Sequence, residues 1–177
     1  MADSFDEQLI GLLPNLRRFA LSLARARHVA DDLVQITCEK ALANRHAFAP
    51  GTRMDAWLFR ILRNAWIDQF RARQREGRVV DVADAYDLAG EDGNAVAESR
   101  STLQAATRAI AELPSDQREV LVLVCIEGFS YREAADVLEV PVGTVMSRLA
   151  RGRVKIAARL GIDPAADRSP STKEQAE

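Results

Sequence analysis

The residues best placed to do chemistry lie together near the C-terminal end. Thr144, Arg148, Arg151 and Lys155 are spaced four, three and four apart, which on a helix lines them up on one face. A hydroxyl, two guanidinium groups and an ammonium on one face supply hydrogen-bond donors and positive charge. That is the chemistry of holding a polyanion, not of breaking a bond. From Thr144 to Leu160 the chain has five cations (Arg148, Arg151, Arg153, Lys155 and Arg159) and no anion.

The elements that must position this face can be read around it. Val145, Leu149, Ile156 and Leu160 lie on or near an apolar stripe, so the spacing predicts a helix from Val142 to Leu160, ended by Gly161. Ahead of it, Ser130 and Glu133 have the spacing of a capping box, which starts a shorter helix just after Ser130. Ala134, Ala135 and Leu138 give that helix a small apolar face. Glu139, Val140 and Pro141 form the turn, and Pro141 suits the first turn of the next helix, where its missing N–H costs nothing. A short helix, a tight turn and a longer basic helix make the helix-turn-helix pattern, whose second helix enters the major groove of DNA. The plainer reading is an amphipathic hairpin with a solvated basic face.

The stretch LPSDQREVLVLVCIEGFSYREAADVLEVPVGTVMSRLARGR resembles region 4 of the bacterial sigma-70 family, in its small extracytoplasmic-function (ECF) branch. The resemblance demands that the N-terminal half look like sigma region 2. There, Leu9, Leu12, Leu13, Leu16, Ala20 and Leu23 predict a helix over 5–24, with Pro14 expected to kink it or delay its start. A second helix is predicted over 29–43, with Ala30, Leu33, Val34, Thr37 and Ala41 buried and Asp31, Asp32, Gln35 and Glu39 outside. Its DDLVQ is similar to the region 2.2 signature, although Cys38 and Leu42 stand where relatives usually carry large aromatics. Pro50 and Gly51 break the chain between Phe48 and Thr52. A third helix runs from about Met54 to Arg75, with Leu58, Ile61, Leu62, Ala65 and Phe70 expected to face inward. Aromatics interleaved with arginines suit single-stranded nucleic acid, where bases stack and cations hold the backbone; core rings and solvated arginines are the alternative, preferred for Trp66. AWLFRILRNAWIDQFRAR resembles sigma regions 2.3 and 2.4.

The charge distribution agrees. The net charge is only −2, but it is segregated. Arg53 to Arg78 holds seven arginines against Asp55, Asp68 and Glu76, and residues 79–99 hold six acids and no cation. Such segregation matters more to a polyanion than the total. With 177 residues, 47% of them apolar and 6% aromatic, the chain has room for one domain or two small helical ones. Cys38 and Cys125 form no disulfide framework, and with His28 and His46 they lack metal-ligand spacing. No phosphate loop or catalytic constellation is present, so neither an enzyme nor a cofactor is expected. No apolar run is long enough to span a membrane, and the expected setting is the reducing cytoplasm.

The expected fold is therefore all-α, with two small helical domains joined by a flexible acidic linker: region 2-like over 1–78, linker over 79–99, region 4-like over 100–162, and a disordered tail over 163–177. Within the second domain, helices are predicted over 100–113, lined by Leu103, Ala106, Ile110 and Leu113, and over 115–127. In the latter, Val120, Leu121 and Val124 face the core, and Leu123 and Ile126 do so more readily than they contact a partner. The resemblance implies an ECF-type sigma factor bound to core RNA polymerase through the β′ coiled coil and the β flap, acting on promoter DNA and commonly restrained by an anti-sigma factor. It assigns polymerase contacts to Asp31, Asp32, Leu33, Gln35 and Glu39. It assigns minus-35 contacts to Thr144, Ser147, Arg148, Arg151, Arg153 and Lys155. Minus-10 contacts fall to Phe48, Arg53, Trp57, Arg60, Arg63, Asn64, Asp68 and Arg71, the Phe48–Arg53 loop matching the family loop that captures a flipped base. Three rivals stand beside it: a sigma-like decoy that sequesters an anti-sigma protein, an independent helix-turn-helix repressor, and a nucleic-acid enzyme. The repressor leaves DDLVQ and AWLFRILRN unexplained.

Overall fold

Helix α1 (Phe5–Ala24) begins on a capping box, Glu7 N–H donating to Ser4 Oγ (3.3 Å) and Ser4 N–H to Glu7 Oε2 (2.7 Å). It contains Pro14 without a break, contrary to the expected interruption. Buried Leu9, Leu16, Phe19, Ala20 and Leu23 on both sides of the proline hold it as one element. The chain leaves it through Arg25 at φ 61°. Helix α2 (Arg27–Ala43) follows, then a 3₁₀ turn (Arg45–Ala47) and α3 (Met54–Arg75). The structure, a computed structural model, describes residues 4–75 and 97–162, and all its described elements are helical. It divides into two compact units, with α1, α2 and α3 in the first.

The three helices pack on one another around Leu16, Phe19, Leu33, Leu58, Phe59 and Leu62, all essentially inaccessible to solvent. Phe19 and Phe59 meet at a centroid distance of 5.0 Å, tilted by 56°. Phe59 is a core residue that the sequence pattern left out. Phe70, expected to face inward, is instead 40% exposed and lies against Trp66 at 6.2 Å. It falls beyond the part of α3 that contributes buried residues, which ends at Ala65. The expected acidic linker lies largely outside the described residues, as does the tail.

The second unit contains α4 (Ala97–Ala111), α5 (Ser115–Leu121) and α7 (Val142–Leu160). Helix α4 starts three residues earlier than expected, since no glycine or proline follows Gly93 until Pro114. The helix predicted over 115–127 splits in two: after Leu121 the chain widens into a π-helical turn, Val122–Ile126. Glu127 N–H bonds the Val122 carbonyl at 3.0 Å and Phe129 N–H bonds that of Leu123 at 3.0 Å. The wide turn sends Leu123 fully into the core and leaves Ile126 47% exposed, which settles Leu123 as a packing residue and corrects the core role expected of Ile126. Arg118 is buried, and its Nη1 donates to the carbonyls of Ala111 (3.1 Å) and Leu113 (2.8 Å). It thus donates to carbonyls at and just beyond the end of α4, where helical hydrogen bonding runs out. Helices α4 and α5 both pack on α7, through Val120, Leu121, Val145 and Leu149 among others.

Helix α6 (Tyr131–Leu138) precedes α7. Its predicted capping box is present: Glu133 N–H donates to Ser130 Oγ (3.3 Å), and the Ser130 N–H and hydroxyl both donate to Glu133 Oε2 (2.8 Å each). Ala134, Ala135, Val137 and Leu138 are buried.

Candidate nucleic-acid interface

Glu139 turns the chain at φ 53°, a left-handed conformation that costs a non-glycine residue roughly 1–2 kcal/mol. Pro141 caps α7, its carbonyl accepting from Thr144 N–H (2.8 Å) and Val145 N–H (3.3 Å). Val145 and Leu149 are buried, so the opposite face of α7 is turned outward. Ser147, Arg151 and Lys155 are exposed there, with Thr144 and Arg148 half-buried beside them. The Ser147 hydroxyl donates to the Thr144 carbonyl (3.0 Å), and Arg151 Nε to the Ser147 carbonyl (3.2 Å). Arg148 is drawn sideways: its Nε lies 3.2 Å from Asp116 Oδ2, in the first turn of α5. Nothing in a spacing of 32 residues signals this contact in advance. Arg153 does not join the face. Two positions beyond Arg151 is about 200° around the helix, and its Nη2 lies 3.6 Å from Cys125 Sγ.

In the first unit, three rings close on one another. Phe5 stands 6.0 Å from Phe48 and 6.1 Å from Trp57, edge to face in both cases, and Phe48 and Trp57 are 5.5 Å apart. All three are half-buried. From this cluster the Ala49–Thr52 turn projects into solvent, closed by Thr52 N–H (3.2 Å) and Thr52 Oγ1 (2.7 Å) donating to the Ala49 carbonyl. Gly51 takes φ 88°, open to glycine and strained for a side chain. Beyond it Arg53 forks onto Asp55, Nε to Oδ1 at 3.0 Å and Nη2 to Oδ2 at 2.5 Å. Arg60, Asn64, Asp68 and Arg71 are exposed along α3, and Arg63 is half-buried. Phe5 was missed by sequence reasoning. The available signal was an aromatic placed directly after a Ser-x-x-Glu cap.

On α2, Asp31, Asp32, Gln35 and Glu39 are exposed as expected. Asp31 pairs with Arg17 of α1 at 2.7 Å, and Gln35 Nε2 donates to Glu39 Oε1 at 3.0 Å. Leu33, grouped with these by resemblance, is fully buried. It fixes the rotation of α2 and offers no surface. Burial, helped by the negative charge of Glu39, pushes the Cys38 thiol up from its ordinary pKa. Among the described residues no group of three His, Cys, Asp or Glu side chains could hold a metal ion. No helix there is long and apolar enough to cross a membrane.

Residues 11–76 match sigma-70 region 2 and residues 103–156 match sigma-70 region 4. The chain belongs to the sigma-70 family. Its relatives place it in the ECF branch of these sigma factors. It is 41% identical to the ECF RNA polymerase sigma factor EcfG of Rhodopseudomonas palustris, over 96% of this chain and 92% of that one. It is 30% identical to the ECF sigma factor SigM of Bacillus subtilis, over 88% and 94%. Among solved structures, the sigma factor RpoE of Bartonella quintana, crystallised with the anti-sigma factor NepR, superposes with a TM-score of 0.75 at 37% identity, covering 90% of this chain and 98% of that one. CnrH, in complex with the cytosolic domain of CnrY, gives a TM-score of 0.62 at 30% identity, covering 89% and 87%.

Proposed function

We propose that this sigma factor carries promoter specificity to core RNA polymerase, with the outward face of α7 reading the minus-35 duplex and the Phe48–Arg71 segment holding the opened minus-10 strand. The observation that carries the division of labour is the contrast between the two sites. Ser147, Arg151 and Lys155 stand on the solvent side of a regular helix backed by Val145 and Leu149, a shape that fits a major groove. Phe48 and Trp57 instead combine half-buried rings with a projecting turn and flanking arginines, a combination suited to unstacked bases. Binding free energy then drives strand opening, with no bond made or broken.

The exposed Asp31, Asp32, Gln35 and Glu39 face of α2 takes the polymerase β′ coiled coil in this reading, and the second unit takes the β flap. An anti-sigma protein is the expected inhibitor, since one similar structure is of a sigma factor held by such a partner. The domain limits 1–78 and 100–162 are proposed with the same assignment, and the setting is the cytoplasm where the polymerase works.

Adding the chain to core polymerase on a promoter library tests the whole reading. Initiation from start sites that core alone does not use is expected. Nanomolar, sequence-specific duplex binding by the chain without core, and no new start sites with it, would establish a repressor instead. Asp32→Lys and Gln35→Lys should each weaken competition for core against another sigma factor at unchanged helical content. Undiminished competition by both would return that face to simple solvation.

A further inference from the structure

Phe5 sits at the first position of α1, far in sequence from the segment that holds the opened strand, yet its ring meets both Phe48 and Trp57. Its own position is fixed twice over. The reciprocal Ser4–Glu7 cap sets the start of α1, and Leu9 and Leu16 anchor that helix in the core. The projecting turn is gripped at its other end by the Arg53–Asp55 fork. The Phe48 side, by contrast, has the ring cluster and one backbone bond, Phe48 N–H to the Arg45 carbonyl at 3.2 Å. Without Phe5, Phe48 keeps Trp57 as its ring partner and loses the third ring that fixes its angle.

We propose that Phe5 is a positioning residue for strand opening: its ring wedges Phe48 against Trp57 and so holds the Ala49–Thr52 turn in the conformation that receives an unstacked base. The inference rests on the sigma-factor reading of the Phe48–Arg71 segment and extends it to the first turn of the chain's first helix. On the duplex the cost of ordering the turn adds to the unstacking barrier and slows opening, whereas on a pre-opened strand that barrier is gone and the same cost no longer limits the rate.

The test follows from that asymmetry. Phe5→Ala and Phe5→Tyr are each combined with core polymerase on a promoter obtained from the library. One template is fully duplex, with 2-aminopurine in the minus-10 element; the other is pre-opened over the same bases. Phe5→Ala should slow opening of the duplex about tenfold, the equivalent of two lost ring pairs. It should stay within about twofold of the parent on the pre-opened template and compete for core undiminished, and Phe5→Tyr should restore opening. Equal losses on both templates, or lost competition for core, overturn the proposal and leave Phe5 a packing residue; undiminished opening of the duplex overturns it as well. If Phe5→Ala loses helical content, Phe5→Leu gives the same comparison with the bulk kept and the ring removed. A parent chain that opens no promoter with core overturns the underlying assignment, a failure that appears before any substitution is made.

Discussion

Replacing Asp116 with Asn keeps the shape of the side chain and removes the charge facing Arg148. The pair is separated by 3.2 Å, with the two side chains 23% and 42% exposed. In bulk water such charges attract by about 1.3 kcal/mol, and by roughly four times that at an effective dielectric constant of 20. Solvent screening and the entropy of holding two side chains cut the net value for exposed pairs to about 0.2–1 kcal/mol, and the partial burial of Arg148 points to the upper half of that range. Asp116 engages Nε, which leaves the outer edge of the guanidinium for a base, where a bidentate contact to guanine forms. In the proposed minus-35 reading, the pair therefore orients Arg148 and leaves that edge open. Asp116→Asn should lower discrimination between the correct and an altered minus-35 element by about two- to fivefold. It should also raise affinity for unrelated duplex slightly, because an anion near phosphate is gone. Competition binding by the holoenzyme against both duplexes, at fixed salt, measures the two effects separately. The decisive arm is the Arg148→Ala background, where Asp116→Asn should change discrimination no further. The same loss with Arg148 absent, or no loss with it present, refutes the pairing argument.

Three further outcomes are expected. Arg118→Met should destabilise the second unit by about 2–3 kcal/mol, since two buried carbonyls lose a charged donor, read as a lower denaturant midpoint with promoter recognition retained below it. Ser130→Ala should cost about 1 kcal/mol by removing the cap of α6, and Ser130→Thr, which keeps a hydroxyl against Glu133, should recover most of it in thermal melts. Cys38 should be alkylated more slowly than exposed Cys125 at pH 8, because its raised pKa keeps the thiol protonated. A raised folded-state value means the folded chain holds that proton more tightly. The contribution of Cys38 is therefore complete below the ordinary value of 9.0 and lost as pH rises through the higher folded-state value. Equal alkylation rates at the two cysteines would contradict the burial.

Much of this was legible because local signals agreed with one another. The Ser130–Glu133 cap, Pro141 and Gly161 bracket α6 and α7, and the structure places both helices where those residues say. Helical periodicity placed α1 and α3 as well. What it missed depends on neighbours remote in sequence. Phe59 looks like one aromatic among several until Phe19 is seen against it. Phe70 shares helical phase only with Phe59, at the edge of the buried stripe, and lies past its end. Pro14 is a breaker by type and is overruled by packing on both sides. The π-helical turn has no short-range signature beyond a run of apolar and β-branched residues that suits either helix. The site divides the same way: exposure of Ser147, Arg151 and Lys155 follows from phase, whereas the Asp116 contact of Arg148, the displacement of Arg153 and the arrival of Phe5 beside Phe48 required the fold.

The π-helical turn at Val122–Ile126 also determines what can be moved as a module. By taking an extra residue into one turn, it delivers Gly128, Phe129 and the cap at Ser130 roughly 100° behind where an uninterrupted α-helix would put them. Phe129 is buried, so this offset is built into the approach of the chain to α6. A graft that joins α6 and α7 to an ideal helix ending at Leu121 would start α6 from the wrong angle, however well its own residues were kept. A transferable unit therefore has to carry the Val122–Ile126 turn together with α4 and α5, which pack on α7, and its length is set in part by a change of helical pitch.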